Sequence, residues 1–223
     1  EIDGRLTILF MAGYGNTWSN GKSVYMQLKQ DADGHDLDPA DPDNWTVPTP
    51  IYRNDASLLN GNKQLAATAS GGVGMSLDMT YFQDADGRSY YAWQQLGATY
   101  IATMDPKDPA HVTSSPVRIV TPEYAWNAAI AEGPNVTLRD GKLYLMFSGS
   151  GVGKTYTTGL AVADASGTDL TDPASWTVLN YPIQKSGPFN GEMQLGTGHG
   201  MWSEDEDGNQ IYVFHAYATK NLG

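Results

Sequence analysis

The sequence contains no cysteine, which excludes disulfides and thiolate metal sites. That absence leaves the compartment open, because many exported bacterial proteins lack cysteine too. Basic residues are scarce: 13 Lys and Arg stand against 25 Asp and Glu, for a net charge of −12. Such a chain repels phosphate backbones and has no basic stripe for nucleic acid, so a neutral, sugar-like ligand suits it better. No apolar run is long enough to span a membrane, and the first residues show no charged segment followed by an apolar one. The chain therefore reads as soluble, with export resting on function alone, and nothing specifies an oligomer. Helical periodicity is nearly missing: no stretch holds apolar residues at i, i+3, i+4 and i+7 for three turns without Gly or Pro.

What is present is repetition. The 223 residues, 40% of them hydrophobic, suffice for a core in one domain. One phrase recurs four times: Asp3-Gly4-Arg5, Asp86-Gly87-Arg88, Asp140-Gly141-Lys142 and Asp207-Gly208-Asn209, each followed by an aromatic, β-branched run. Asp-Gly supplies the positive φ angles of a tight turn, and the run after it fits a half-buried strand. Further strands are expected at Ser23 to Lys29, Asn44 to Tyr52, Thr157 to Asp164 and Ser175 to Ile183, with counterparts in ATYIATM and SSPVRIV. Inner strand, hairpin, second strand and two more strands make a propeller blade. The spacings of 83, 54 and 67 residues suit a propeller with variable loops better than a solenoid. The expectation is an all-β fold, a partial β-propeller of about three and a half blades forming a single domain over 1–223, with segments near 1–52, 53–121, 122–187 and 188–223.

Counting back nine residues from a hairpin glycine gives Asp78 before Gly87, Glu132 before Gly141 and His199 before Gly208. All three exchange protons. Innermost strands of a propeller line one channel, so equivalent positions on successive blades should converge there. Leu77-Asp78-Met79-Thr80 and Ala131-Glu132-Gly133-Pro134 set each carboxylate among apolar or small residues, where desolvation raises its pKa and suits it to general acid catalysis.

The strings Leu77-Asp78-Met79-Thr80-Tyr81-Phe82, Ala131-Glu132-Gly133-Pro134 and Gly196-Thr197-Gly198-His199 resemble the inner-strand motifs of glycoside hydrolase family 43. The likeness is closest to α-L-arabinofuranosidase-like members, through Tyr100-Ile101-Ala102 before Met104-Asp105, Pro122-Glu123-Tyr124 before Trp126, and Leu170-Thr171-Asp172-Pro173-Ala174-Ser175-Trp176. The resemblance implies a five-bladed propeller and an exo-acting, inverting hydrolase of arabinofuranosyl or xylosyl residues on plant polysaccharides. It makes Glu132 the general acid and Asp78 the carboxylate that tunes and orients it. It needs no cofactor, with room left for a structural Ca2+. The general base belongs to a first-blade strand that no residue here matches, so this chain alone is expected to be inactive. One departure is plain: the family's Gly-Pro-Gly-His-Asn reads Gly196-Thr197-Gly198-His199-Gly200 here. An endo-arabinanase on the same scaffold and a non-catalytic propeller lectin are the alternatives.

His199 is a candidate for contacting substrate, and for holding a metal or a water at the channel axis. Trp18, Trp93 and Trp126 are candidates for stacking on a sugar ring, with Trp126 favoured by its place six residues before Glu132. Trp45 and Trp176 follow Asp-Pro in matching positions and are assigned to blade packing. Ser148 to Thr155 nearly spells a P-loop, but Ser148 replaces its first glycine and a strand follows, so it is assigned to a loop between strands. The acidic run Asp31 to Asp38 lacks the glycine and glutamate positions of a calcium loop and is assigned to a solvated turn.

Overall fold

The computed structural model describes residues 1–13, 21–57, 59 and 75–218. The first sheet joins β1 (Thr7–Gly13), β2 (Gly21–Gln27) and β3 (Thr49–Pro50) in that order. A short β4 (Tyr52–Arg53) leaves it. The second sheet runs β5 (Leu77–Gln83), β6 (Ser89–Gln95), β7 (Ala98–Thr103) and β9 (Val117–Val120), interrupted by β8 (His111–Val112). The third runs β10 (Ala131–Arg139), β11 (Lys142–Gly149), β12 (Thr157–Asp164) and β13 (Thr177–Val178). The fourth is β14 (Gly187–Phe189), β15 (Glu192–Glu204) and β16 (Gln210–Ala218). Every pairing is antiparallel except β4 with β8. Helix in the described residues includes the single 3-10 turns Pro42–Asn44, Ala125–Asn127 and Pro173–Ser175, and none of it is long and apolar enough to cross a membrane.

The sheets stack face to face, and the period-two alternation of strands explains how. All seven residues of β6 are buried. Tyr90 and Ala92 enter a core shared with Leu143, Leu145 and Phe147 of β11, whereas Tyr91 and Trp93 enter a second core with Ile2, Ile51 and Leu9 at the first sheet. A strand whose successive side chains feed two separate cores belongs to a sheet covered on both faces, which reads in sequence as an unbroken apolar run. Between the third and fourth sheets the contact is more polar. Trp202 donates from Nε1 to the Tyr144 carbonyl at 3.1 Å, and the Tyr212 and Thr158 hydroxyls meet at 2.6 Å. Along this stack β5 packs beside β10 and β10 beside β15, so the strands expected to be innermost are neighbours.

The Asp-Gly phrases divide into two kinds of turn. Asp3-Gly4 and Asp140-Gly141 have both residues at positive φ, as two-residue hairpin turns require. The other two lie in five-residue loops. There Asp84 accepts the backbone N–H groups of Asp86 and Arg88, and Asp205 accepts those of Asp207 and Asn209. Asp31 does the same for Asp33 and His35, so the acidic run is a third copy of this loop.

Two expected strands are shortened. Asn44 to Tyr52 breaks into a 3-10 turn and two pieces, because Asp41 caps Pro42–Asn44 and neither Pro48 nor Pro50 offers an N–H to a ladder. Ser175 to Ile183 contracts to Thr177–Val178, with Asp172 capping the equivalent turn. Trp45 and Trp176 occupy the same place after those turns, donating from Nε1 to Pro39 and Leu170 carbonyls at 3.0 and 2.9 Å. The structure adds a hairpin at Asn190-Gly191, both at positive φ, that the reading of the repeats passed over.

The two five-residue loops make a matched test of burial. The Asp84 side chain is wholly buried and also takes Arg88 Nε at 2.7 Å and the Tyr90 hydroxyl at 3.1 Å. Asp84→Ala leaves those donors unpaired and is expected to cost about 2–4 kcal/mol in urea unfolding. Asp205→Ala, which removes the same loop bonds at the surface, is expected to cost clearly less; equal losses would mean that burial of the aspartate is irrelevant.

Candidate active site

Each of the three neighbouring strands breaks its ladder at the residue picked out by the repeat. The register of β5 against β6 shifts between Leu77 and Thr80, that of β10 against β11 between Glu132 and Asn135, and that of β15 against β16 on both sides of Gly198. Asp78 and His199 take φ values of 54° and 46°, and Gly133 beside Glu132 takes 59°. Non-glycine residues in this region are uncommon and cost on the order of 1–3 kcal/mol each. A bulge re-aims the side chain it carries. These three turn theirs toward one another.

Asp78 Oδ2 accepts the Gly133 N–H at 3.1 Å, and Asp78 Oδ1 lies 3.8 Å from His199 Nε2. The Tyr156 hydroxyl donates to Glu132 Oε1 at 2.5 Å and stands 3.2 Å from His199 Nδ1. A phenol has one proton to give, so with Glu132 receiving it the Nδ1 contact is favourable only when that nitrogen carries hydrogen. The His199 backbone N–H donates to Ser148 Oγ at 2.6 Å. Its ring rests over Gly133, where an added Cβ would come within 3.4 Å of it, and a Cβ on Gly198 would collide with the Tyr156 ring. Gly198 is therefore needed for close approach, and Gly133 for its positive φ.

Burial sets the electrostatics. It pushes the Asp78 carboxyl up, against the opposing pull of His199 and the Gly133 N–H. Glu132 is also pushed up, first by burial and further by the Asp78 charge, while the Tyr156 hydrogen bond and His199 pull it down. The Tyr156 phenol is driven well above its ordinary value by burial and by its bond to Glu132. His215, whose ring is 5.7 Å from that of Tyr156 and 6.4 Å from that of His199, is held below the usual histidine value by burial and by His199. The arrangement offers one carboxyl able to keep a proton toward neutral pH and a second carboxyl that helps it do so.

The aromatic candidates fare differently. Trp93 is fully buried in the core between the first two sheets, with Nε1 on Gln95 at 3.0 Å, and has no face for a sugar. Its strand is covered on both sides, which a place near a strand end does not reveal. Trp126 lies in the turn Ala125–Asn127, bonded to the Asn180 carbonyl and stacked near Tyr124 and Phe147. It also lines a cavity together with Thr155 and Thr157, the residues on either side of Tyr156. Trp18 lies outside the described residues. Ser148 to Thr155 forms the end of β11 and the loop into β12, with no helix to receive a phosphate. Asp31, Asp33 and His35 cluster at the surface, with Asp31 Oδ1 engaged by loop N–H groups.

Tyr156, Ser148 and His215 escaped the reading of the repeats. Tyr156 closes a glycine-rich loop of no fixed length, so no register points to it. His215 had a signal, since it pairs with Gly198 across the hairpin that locates His199.

Two half-buried, interacting carboxyls beside a histidine, at the meeting of three inner strands, form an arrangement of the kind on which carboxyl-based acid–base chemistry depends. Comparison with known proteins agrees on the kind. The model of the Glycosyl hydrolases family 43 matches residues 62–223, and the chain belongs to that family. Over 159 residues it is 33% identical to the "Extracellular exo-alpha-(1->5)-L-arabinofuranosidase" of Streptomyces chartreusis, covering 66% of this chain and 46% of that protein. It is 32% identical to "Alpha-L-arabinofuranosidase 43" of Humicola insolens, covering 66% and 32%. This chain thus spans less than half the length of these relatives. Among solved structures, an α-L-arabinofuranosidase from Lactobacillus brevis superposes with a TM-score of 0.75 at 24% identity, covering all of this chain and 65% of that one. An exo-1,5-α-L-arabinanase from a bovine ruminal metagenomic library gives 0.63 at 17%, covering all of this chain and 68% of that one. Both support the fold, an all-β architecture of the propeller kind.

The raised carboxyls carry a stability consequence with a definite sign. A group whose folded pKa exceeds its unfolded value stabilises fully below the unfolded pKa, and that contribution is lost as pH rises through the folded value. Glu132→Gln and Asp78→Asn keep the acceptor oxygens but remove the charges. Each variant is expected to melt above the parent at pH 7, with the gap closing as pH is lowered toward 4. Calorimetry across that range checks it, and a gap that widens on acidification would contradict the assignment of burial as the dominant cause.

Proposed function

We propose that this chain carries the acid side of the active site of an exo-acting, inverting glycosidase that releases terminal arabinofuranosyl residues, or xylosyl residues on the same scaffold, from plant polysaccharides. The four sheets are blades of a five-bladed propeller, and the protein is secreted or held at the cell surface, in keeping with the word "extracellular" in the name of the Streptomyces relative. The observation that carries this reading is the state of Glu132: half-buried, pushed up by burial and by Asp78, yet already hydrogen-bonded through the oxygen that will hold charge.

The protonated Glu132 gives its proton to the leaving-group oxygen as the glycosidic bond breaks. The carboxylate left behind is received by the Tyr156 hydroxyl at Oε1. Asp78, anchored on Gly133 N–H, holds the proton on Glu132 until then by its negative charge. Water attacks the anomeric carbon from the opposite face, activated by a third carboxylate about 6.5–9.5 Å from the acid. Among the described residues, Asp78 is the carboxylate whose charge reaches Glu132, so that base is assigned to a residue outside them. The reaction needs only carboxyl groups and water, and therefore no cofactor.

Leaving-group chemistry tests the role of Glu132 in the whole protein. With a poor leaving group such as a sugar, Glu132→Gln is expected to lower kcat/KM by about 10²–10⁴-fold, and with a dinitrophenyl leaving group far less. Equal losses on both would rule out proton donation by Glu132. The alkaline limb of the pH–rate profile is expected to move in opposite directions in two further variants. Asp78→Asn removes a neighbouring negative charge and shifts the limb to lower pH, while Tyr156→Phe removes a bond that favours the carboxylate and shifts it to higher pH. A limb that stays fixed in both would detach it from Glu132.

A further inference from the structure

The cavity that Trp126 lines measures about 480 Å³, within the range of ligand sites. It shares a wall with the carboxyl site: Thr155 and Thr157 line it, and Tyr156 between them points the other way to Glu132. The Ala131–Gly149 pair lies next to the Glu132–Ser148 pair in the ladder, with Ser150 following into the cavity wall. The cavity wall and the Glu132 partner Tyr156 are thus carried by the same segment of chain.

Its least engaged polar groups are donors, the Thr155 hydroxyl and two ammonium groups. The hydroxyls of Ser150, Thr157 and Ser186 all donate within the protein, to Thr155, to the Gly149 and Trp126 carbonyls, and to the Lys154 carbonyl. Lys154 and Lys185 also line the cavity, and neither forms an ion pair with a described residue. The bond from Ser186 to Lys154, at 2.7 Å, ties together the two segments that carry these lysines, and Ser186 in turn accepts the Gly196 N–H at 2.8 Å. In a chain with a net charge of −12 and only 13 basic residues, two lysines lining one cavity without an acidic partner among the described residues oppose the charge of the rest of the molecule.

We infer that this cavity is a subsite for a uronic-acid residue of the polysaccharide on the leaving-group side of the scissile bond. Its placement relative to the scissile bond rests on the hydrolase reading above; its preference for a carboxylate does not. The lysines take the carboxylate, the apolar part of the wall at Trp126 and Ala128 takes the ring, and the glycosidic oxygen comes to Glu132. The substrate class narrows accordingly to pentosyl side chains on an acidic backbone.

The test compares arabinosylated oligosaccharides that carry one glucuronic or galacturonic acid residue with the same compounds after carboxyl reduction. Calorimetric binding is measured on the whole protein with Glu132→Gln in place to prevent turnover. At least one acidic compound is expected to bind roughly threefold to tenfold tighter than its neutral counterpart at low salt, with the margin falling as salt is raised. Lys154→Ala with Lys185→Ala is expected to abolish the margin, and the two Lys→Arg changes to restore it. Equal binding of acidic and neutral forms, or a margin that survives the double alanine change in a protein that still melts cooperatively, overturns the inference. Failure to cleave any aryl arabinoside or xyloside with Glu132 intact would defeat the hydrolase reading instead, and would leave the margin as a free-standing measure of the subsite.

Discussion

Two carboxyl groups withdrawn from water within reach of each other's charge resist ionisation, and the structure around Glu132 and Asp78 is arranged to hold them there. Neither is neutralised by a lysine or arginine among the described residues. Asp78 has a backbone N–H and a histidine at 3.8 Å, and Glu132 has a phenol. These partners orient a carboxyl without forcing it to stay charged, whereas a guanidinium would pull its pKa down and end its use as an acid. The strained backbone at Asp78 and His199 follows from the same requirement. A regular strand would alternate these side chains between the faces of a blade, and a bulge is the local device that sends one of them out of the alternation.

That strain is tolerable because the rest of each sheet is heavily determined. β6 is buried on both faces, β11 contributes Leu143, Leu145 and Phe147 to a shared core, and the sheets on either side fix both strands. The bulges of β5 and β10 pair with these two strands, so the irregular residues sit against the most buried parts of the molecule. Strain persists where surrounding packing leaves no relaxed alternative.

Three of the site residues were legible because hairpins keep count. A turn fixes the register of the strands it joins, so a glycine at the turn locates a residue nine positions upstream, and Asp78, Glu132 and His199 came out of that arithmetic. The bulges were not legible, since nothing in Leu-Asp-Met-Thr marks an aspartate at positive φ. Tyr156 was hidden for a different reason. It comes from the far side of a loop whose length no other unit shares, and from the residue before β12 it meets Glu132 at the start of β10 in the same sheet and not through any repeat. The strand lengths show a third kind of failure. Val47, Pro48 and Pro50 look like part of an apolar strand, yet the prolines have no donors for a ladder, and the sheet ends in a stub. Local pattern specified where strands begin; tertiary pairing decided where they stop.

The loop from Ser148 to Thr157 joins these threads. Its first residue supports the His199 backbone, Tyr156 near its end bonds Glu132, and Ser150, Lys154, Thr155 and Thr157 wall the adjoining cavity. A Cβ on Gly196 would collide with the Gly153 carbonyl, so the loop is also pressed against β15, which carries His199. Movement of this one segment would therefore change the hydrogen bond on the acid, the seat of the histidine and the shape of the cavity together. On the proposed reading, a ligand in the cavity would restrain the loop and so keep the Tyr156 hydroxyl on Glu132 Oε1, where charge would appear as the proton leaves. On that reading, binding beyond the reacting sugar is connected to Glu132 through a segment that nearly spells a phosphate loop at Ser148 to Thr155 and that the sequence assigns to a loop between strands.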